Sequence, residues 1–64
     1  MSEEFNMSMR KFLKQVGVTS QQAIEEAMRG KSTGGQSFDV NVVLTIPGLD
    51  LEHVVTGKIT GQDN

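Results

Sequence analysis

Gln15-Val16-Gly17-Val18-Thr19-Ser20-Gln21-Gln22 is the stretch on which the fold turns. Gly17 stands where a helix C-terminus favours a residue in the left-handed region. Thr19-Ser20-Gln21-Gln22 then fits the S/T-x-x-E/Q capping box that opens a new helix. Val18 before the cap and Ala23 four residues beyond it occupy the positions of a hydrophobic staple. Read this way, Gly17-Val18-Thr19 is a tight corner between two short amphipathic helices.

Upstream of the corner, Ser2 is placed to cap the first helix. Glu3 and Glu4 lie in its first turn, where the positive end of the helix favours carboxylates. Phe5, Met9, Phe12, Leu13 and Val16 recur at helical period and form one apolar stripe. This spacing predicts a helix over 3–16. Downstream, Ala23, Ile24, Ala27 and Met28 form the apolar face of a predicted helix over 20–29. Glu25 precedes Arg29 by one turn as an expected ion pair, and Gly30 is the stop.

The segment 30–37 contains three glycines and no apolar residue, and it reads as a flexible link. From Phe38 the period changes to two. Phe38, Val40, Val42, Leu44 and Ile46 alternate with Asp39, Asn41, Val43 and Thr45, which predicts a strand over 38–46. Pro47-Gly48 is the expected type II turn, with glycine supplying the positive φ. A second strand is predicted over 50–60, with Leu51, Val55 and Ile59 on its apolar parity and a frayed tail at 61–64. Placing Ile46 opposite Leu49 sets Leu44 against Leu51, Val42 against His53, Val40 against Val55 and Phe38 against Gly57. The fold expected is α+β: two short helices followed by an antiparallel β-hairpin packed on them, in one small domain spanning 1–64.

Composition narrows the function. A 64-residue chain buries only about 60% of the surface its unfolded form exposes. Chains this small usually gain a staple from disulfides, a metal or a partner. There is no cysteine and a single histidine, so the expected staple is self-association or another protein. The net charge of −2 argues against a nucleic-acid surface. The acidic opening Met1-Ser2-Glu3-Glu4 does not resemble a secretory leader, and no apolar run reaches the roughly 18 residues of a membrane span. A cytoplasmic protein is expected.

Candidate chemistry is sparse. Gly30-Lys31-Ser32 resembles the end of a phosphate loop, but the pattern needs a glycine where Glu25 stands. Asp50, Glu52 and His53 invite a metal. On a strand, however, Asp50 and Glu52 share one face and His53 takes the other. His53 falls on the apolar parity and is expected to be partly buried and hydrogen-bonded; its sharper reading is a pH-sensitive element. Ser20, His53 and Asp50 have no spacing that joins them as a nucleophilic triad. No enzyme activity, cofactor or metal is expected.

Arg10, Lys11 and Lys14 form a small basic patch. With His53 they make up the candidate interaction surface. The leading function is a small non-enzymatic protein-interaction module that self-associates, or binds another protein, through a hairpin edge or an apolar face. The alternative is nucleic-acid binding through the helix–corner–helix. Its second helix would present Glu25 and Glu26 to phosphates, which makes it the weaker reading.

The run from Phe5 to Gln21, continued by Ile24-Glu25-Glu26-Ala27, resembles a family of short proteobacterial proteins, the domain of unknown function 6494. The resemblance returns at Leu44-Thr45-Ile46-Pro47-Gly48-Leu49-Asp50-Leu51 and at Gly57-Lys58-Ile59, with most departure expected between Lys31 and Ser37. It implies the helix–helix–hairpin order and a bacterial cytoplasmic setting, and it transfers no site residue or activity.

Overall fold

In the computed structural model the described residues are 2–31 and 34–61. The expected tail at 62–64, and Ser32 and Thr33 within the expected link, lie outside them. The chain divides into two compact units, Met1–Gly30 and Lys31–Asn64, each taken by itself below.

The first unit is one α-helix, α1, spanning Glu3–Met28. Ser2 caps it as expected. Its side chain accepts a hydrogen bond from the Phe5 amide at 3.1 Å, and Glu3 and Glu4 fill the first turn. The corner expected at Gly17-Val18-Thr19 does not form, so the two short helices over 3–16 and 20–29 are replaced by a single 26-residue helix, about 39 Å long.

Both punctuation signals at the corner are absorbed into that helix. Gly17 has no positive φ, and Thr19 turns its hydroxyl back to donate to the Gln15 carbonyl at 2.8 Å instead of capping a new start. Energetics favour this outcome. Glycine inside a helix costs about 1 kcal/mol relative to alanine. A break would orphan backbone groups on both sides and require a second, unfavourable nucleation. The real stop is Gly30, at φ 74°, after the C-cap Arg29. The expected Glu25–Arg29 pair is also replaced. Arg29 binds Glu26 at 2.6 Å, and Glu25 accepts from Gln21 at 3.3 Å.

The second unit is an antiparallel two-stranded hairpin of β1 (Ser37–Ile46) and β2 (Leu51–Thr60). The alternation is as expected, but the register differs by two residues. Ile46 pairs with Leu51, Leu44 with His53, Val42 with Val55, Val40 with Gly57 and Phe38 with Ile59.

Proline explains the shift. Closing the hairpin on Pro47-Gly48 alone would need a type I′ or II′ turn, both of which require positive φ at the first turn residue. Proline holds φ near −65° and cannot supply it. The connection instead expands to four residues, Pro47–Asp50. It contains a 3₁₀ turn over Pro47–Leu49, and Asp50 sits in the left-handed region at φ 52°. The type II turn expected at Gly48 is therefore absent. The left-handed residue is an aspartate, one of the few non-glycine types that tolerate the region. Because the expansion is by two residues, side-chain parity survives.

At the open end, the Gly61 amide donates to the Gln36 carbonyl at 2.7 Å. Gly61 is buried, so the fraying expected from residue 61 does not begin there. No hydrophobic side chain among the described residues is buried.

Two substitutions test these assignments. A Cβ on Gly17 meets nothing within 4 Å. Gly17→Ala is therefore expected to raise helix stability by about 0.5–1 kcal/mol, read by thermal melting of the far-ultraviolet circular dichroism. A left-handed Gly17 at a corner would give a loss instead. Asp50→Val is expected to cost the hairpin about 1–2 kcal/mol, while Asp50→Gly leaves it unchanged or slightly firmer. Equal stability of all three side chains at position 50 would contradict the left-handed assignment.

Candidate interaction surface

Arg10, Lys11 and Lys14 are all exposed on α1. Arg10 and Lys14 lie one turn apart, and Lys11 is three residues from Lys14, so the patch is local to the middle of the helix. No carboxylate among the described residues pairs with any of the three. His53 belongs to the other unit, on β2 between Leu51 and Val55 and opposite Leu44. It is exposed. The partial burial expected from its parity is not met, because the apolar face around it is itself open.

That face is the main feature of the hairpin. Phe38, Val40, Val42, Leu44 and Ile46 of β1 share it with Leu51, His53, Val55, Gly57 and Ile59 of β2. Phe38, Val40, Leu44 and Ile59 are half-buried, and the remaining apolar members are exposed. The opposite face carries Asp39, Asn41, Thr45, Glu52, Thr56 and Lys58, with one apolar pair, Val43 opposite Val54, at 55% and 52% exposure. On this face the Lys58 ammonium donates to the Asp39 carboxylate across the strands. The sequence-based register, which set these two residues out of line, missed that pair.

On α1, Val16, Ser20, Ile24 and Met28 are half-buried at successive turns, while Phe5, Met9, Phe12 and Leu13 on the same side are exposed. The half-buried side of the helix therefore continues through the expected corner, with Ser20 as its polar member there. Loss of the corner also removes the geometry on which nucleic-acid binding through a helix–corner–helix rested. Among the described residues no three His, Cys, Asp or Glu side chains could hold a metal ion. No helix among them is long and apolar enough to cross a membrane.

A single helix followed by a two-stranded ribbon, with apolar side chains on open faces, defines a small α+β chain. The model of a family of unknown function, DUF6494, matches residues 1–62, and the chain belongs to that family. No curated protein and no solved structure matches it.

The Asp39–Lys58 pair offers a modest handle. The lysine side chain is 70% exposed and the aspartate 82%, so water and salt screen most of their attraction. Asp39→Asn or Lys58→Met is expected to cost the hairpin no more than about 1 kcal/mol, an effect lost in molar salt. A larger, salt-insensitive cost in denaturant unfolding would show that the pair does more than align the strands.

Proposed function

We propose that this protein is a small non-enzymatic interaction module whose open apolar faces are completed by a partner chain. The observation that carries the reading is burial. Among the described residues many large hydrophobic side chains, Phe12, Leu13, Leu49 and Val55 among them, are 40–72% exposed, others are half-buried, and none is buried. Contiguous apolar area of this kind marks contact surfaces, since scattered single residues would not form continuous faces. A chain of this length also gains most from a partner that extends its burial. The basic patch Arg10, Lys11 and Lys14 would bias such a partner toward acidic contacts at its rim. We place the module in the bacterial cytoplasm on the strength of the sequence resemblance alone.

The test compares the native chain with Val42→Thr/Leu44→Thr, which keeps strand propensity while removing apolar area from one face. Sedimentation of the chain alone, together with quantitative capture on immobilised chain, measures association with itself or with another protein. The native chain is expected to associate saturably, and the double variant at least tenfold more weakly. Equal behaviour of the two would overturn the reading.

A further inference from the structure

We propose that the partner is a second copy of this chain, joined edge to edge through β2 in an antiparallel, twofold arrangement centred on Val55. The inference rests on the interaction-module reading and names the partner at the hairpin edge, where pairing joins two apolar faces into one wider face.

β2 is the more open strand. Every residue from Leu51 to Lys58 is exposed, and among the described residues its outer edge carries no neighbouring strand. An unpaired edge presents a row of backbone donors and acceptors that another strand can complete. In antiparallel pairing these groups point alternately to the two sides of a strand. A twofold self-pair must therefore set outward-pointing residues against outward-pointing ones, which places the axis on a residue and not between two.

Four such registers overlap most of the strand, and the one centred on Gly57 leaves Glu52 outside the overlap. Centring on Val54 leaves Glu52 opposite Thr56 and Leu51 opposite Gly57. Centring on Thr56 leaves Lys58 opposite Val54 and Glu52 opposite Thr60. Centring on Val55 sets Glu52 against Lys58 on both sides of the axis, Leu51 against Ile59, and Val55 against itself. Only this register pairs both charges of the strand and both of its outer apolar residues. Opposite charges facing each other across strands stabilise, and like charges in the same place destabilise.

The β1 edge lacks this complementarity, because its one charged residue is Asp39. Pairing β1 of one copy with β2 of another would be head-to-tail and would leave a β1 edge at one end and a β2 edge at the other, on which further copies could add without limit. The β2 pair closes instead. It gives a four-stranded sheet with one continuous apolar face, and each Lys58 lies between its own Asp39 and the facing Glu52.

The chain has no cysteine, so a single introduced thiol reports the register cleanly. Directly opposed residues in an antiparallel pair have Cα atoms about 4.5–5.5 Å apart, within disulfide range. Val55→Cys is expected to oxidise to a covalent dimer. Val43→Cys on β1, which is equally exposed, is expected to remain monomeric under the same conditions. Glu52→Lys and Lys58→Glu should each weaken the dimer about tenfold, and an equimolar mixture of the two should restore it, since each altered strand then faces its complement. The charge variants lie at exposed sites and carry the test if Val55→Cys fails to fold.

A dimer indifferent to both reversals, or Val43→Cys crosslinking as readily as Val55→Cys, would overturn the edge pairing while leaving the interaction reading intact. A native chain that stays monomeric but captures another protein through Val42 and Leu44 would do the same. A monomer indifferent to the Val42 and Leu44 substitutions would remove both.

Discussion

The constraint on which this structure depends is uncovered apolar surface. A lone helix and a two-stranded ribbon can each satisfy their own backbone hydrogen bonds, yet neither can bury its own apolar side. A two-stranded hairpin is marginal in water unless something lies against it. An isolated helix, even one of 26 residues, draws most of its stability from packing. Backbone satisfaction therefore explains why these elements form, and apolar exposure explains what they still lack. The faces around Phe12 and Leu13 on α1, and around Val42 and Val55 on the hairpin, are open among the described residues.

Helix and hairpin were both legible in the residues, but the join between the presumed helices was not. Gly17 and Thr19 carry strong stop and start signals, and either would be persuasive beside a supporting layer. The helical phase shared by Val16, Ala23 and Ile24, seven and eight residues apart, contains the contrary information. A break at Gly17 would have to be compensated by packing that a chain of this size does not supply, so helix continuity prevails over local punctuation. The cap at Ser2 and the stop at Gly30 are legible because nothing competes with them at the ends of the periodic segment.

In the hairpin, parity was readable and register was not. Alternation from Phe38 to Ile46 fixes which side chains share a face, whatever the loop length, provided the loop changes by two. The exact pairing depends on the turn, and the decisive fact is what proline forbids at the first position of a two-residue loop. The left-handed residue then falls on Asp50 instead of Gly48. The same two-residue shift brings Asp39 level with Lys58 and sets His53 beside Leu44. Of the candidate surface, the clustering of Arg10, Lys11 and Lys14 follows directly from helical spacing. The environment of His53 could not, because parity predicts a face without predicting whether anything covers it.

The account thus makes association part of what keeps the chain folded. The most direct measurement is the thermal midpoint of the native chain as a function of its own concentration. If two copies join along β2, the midpoint rises steadily with concentration over about two decades, as mass action requires when the folded state is the associated one. A midpoint that stays constant over that range, with a full cooperative transition, would contradict the account.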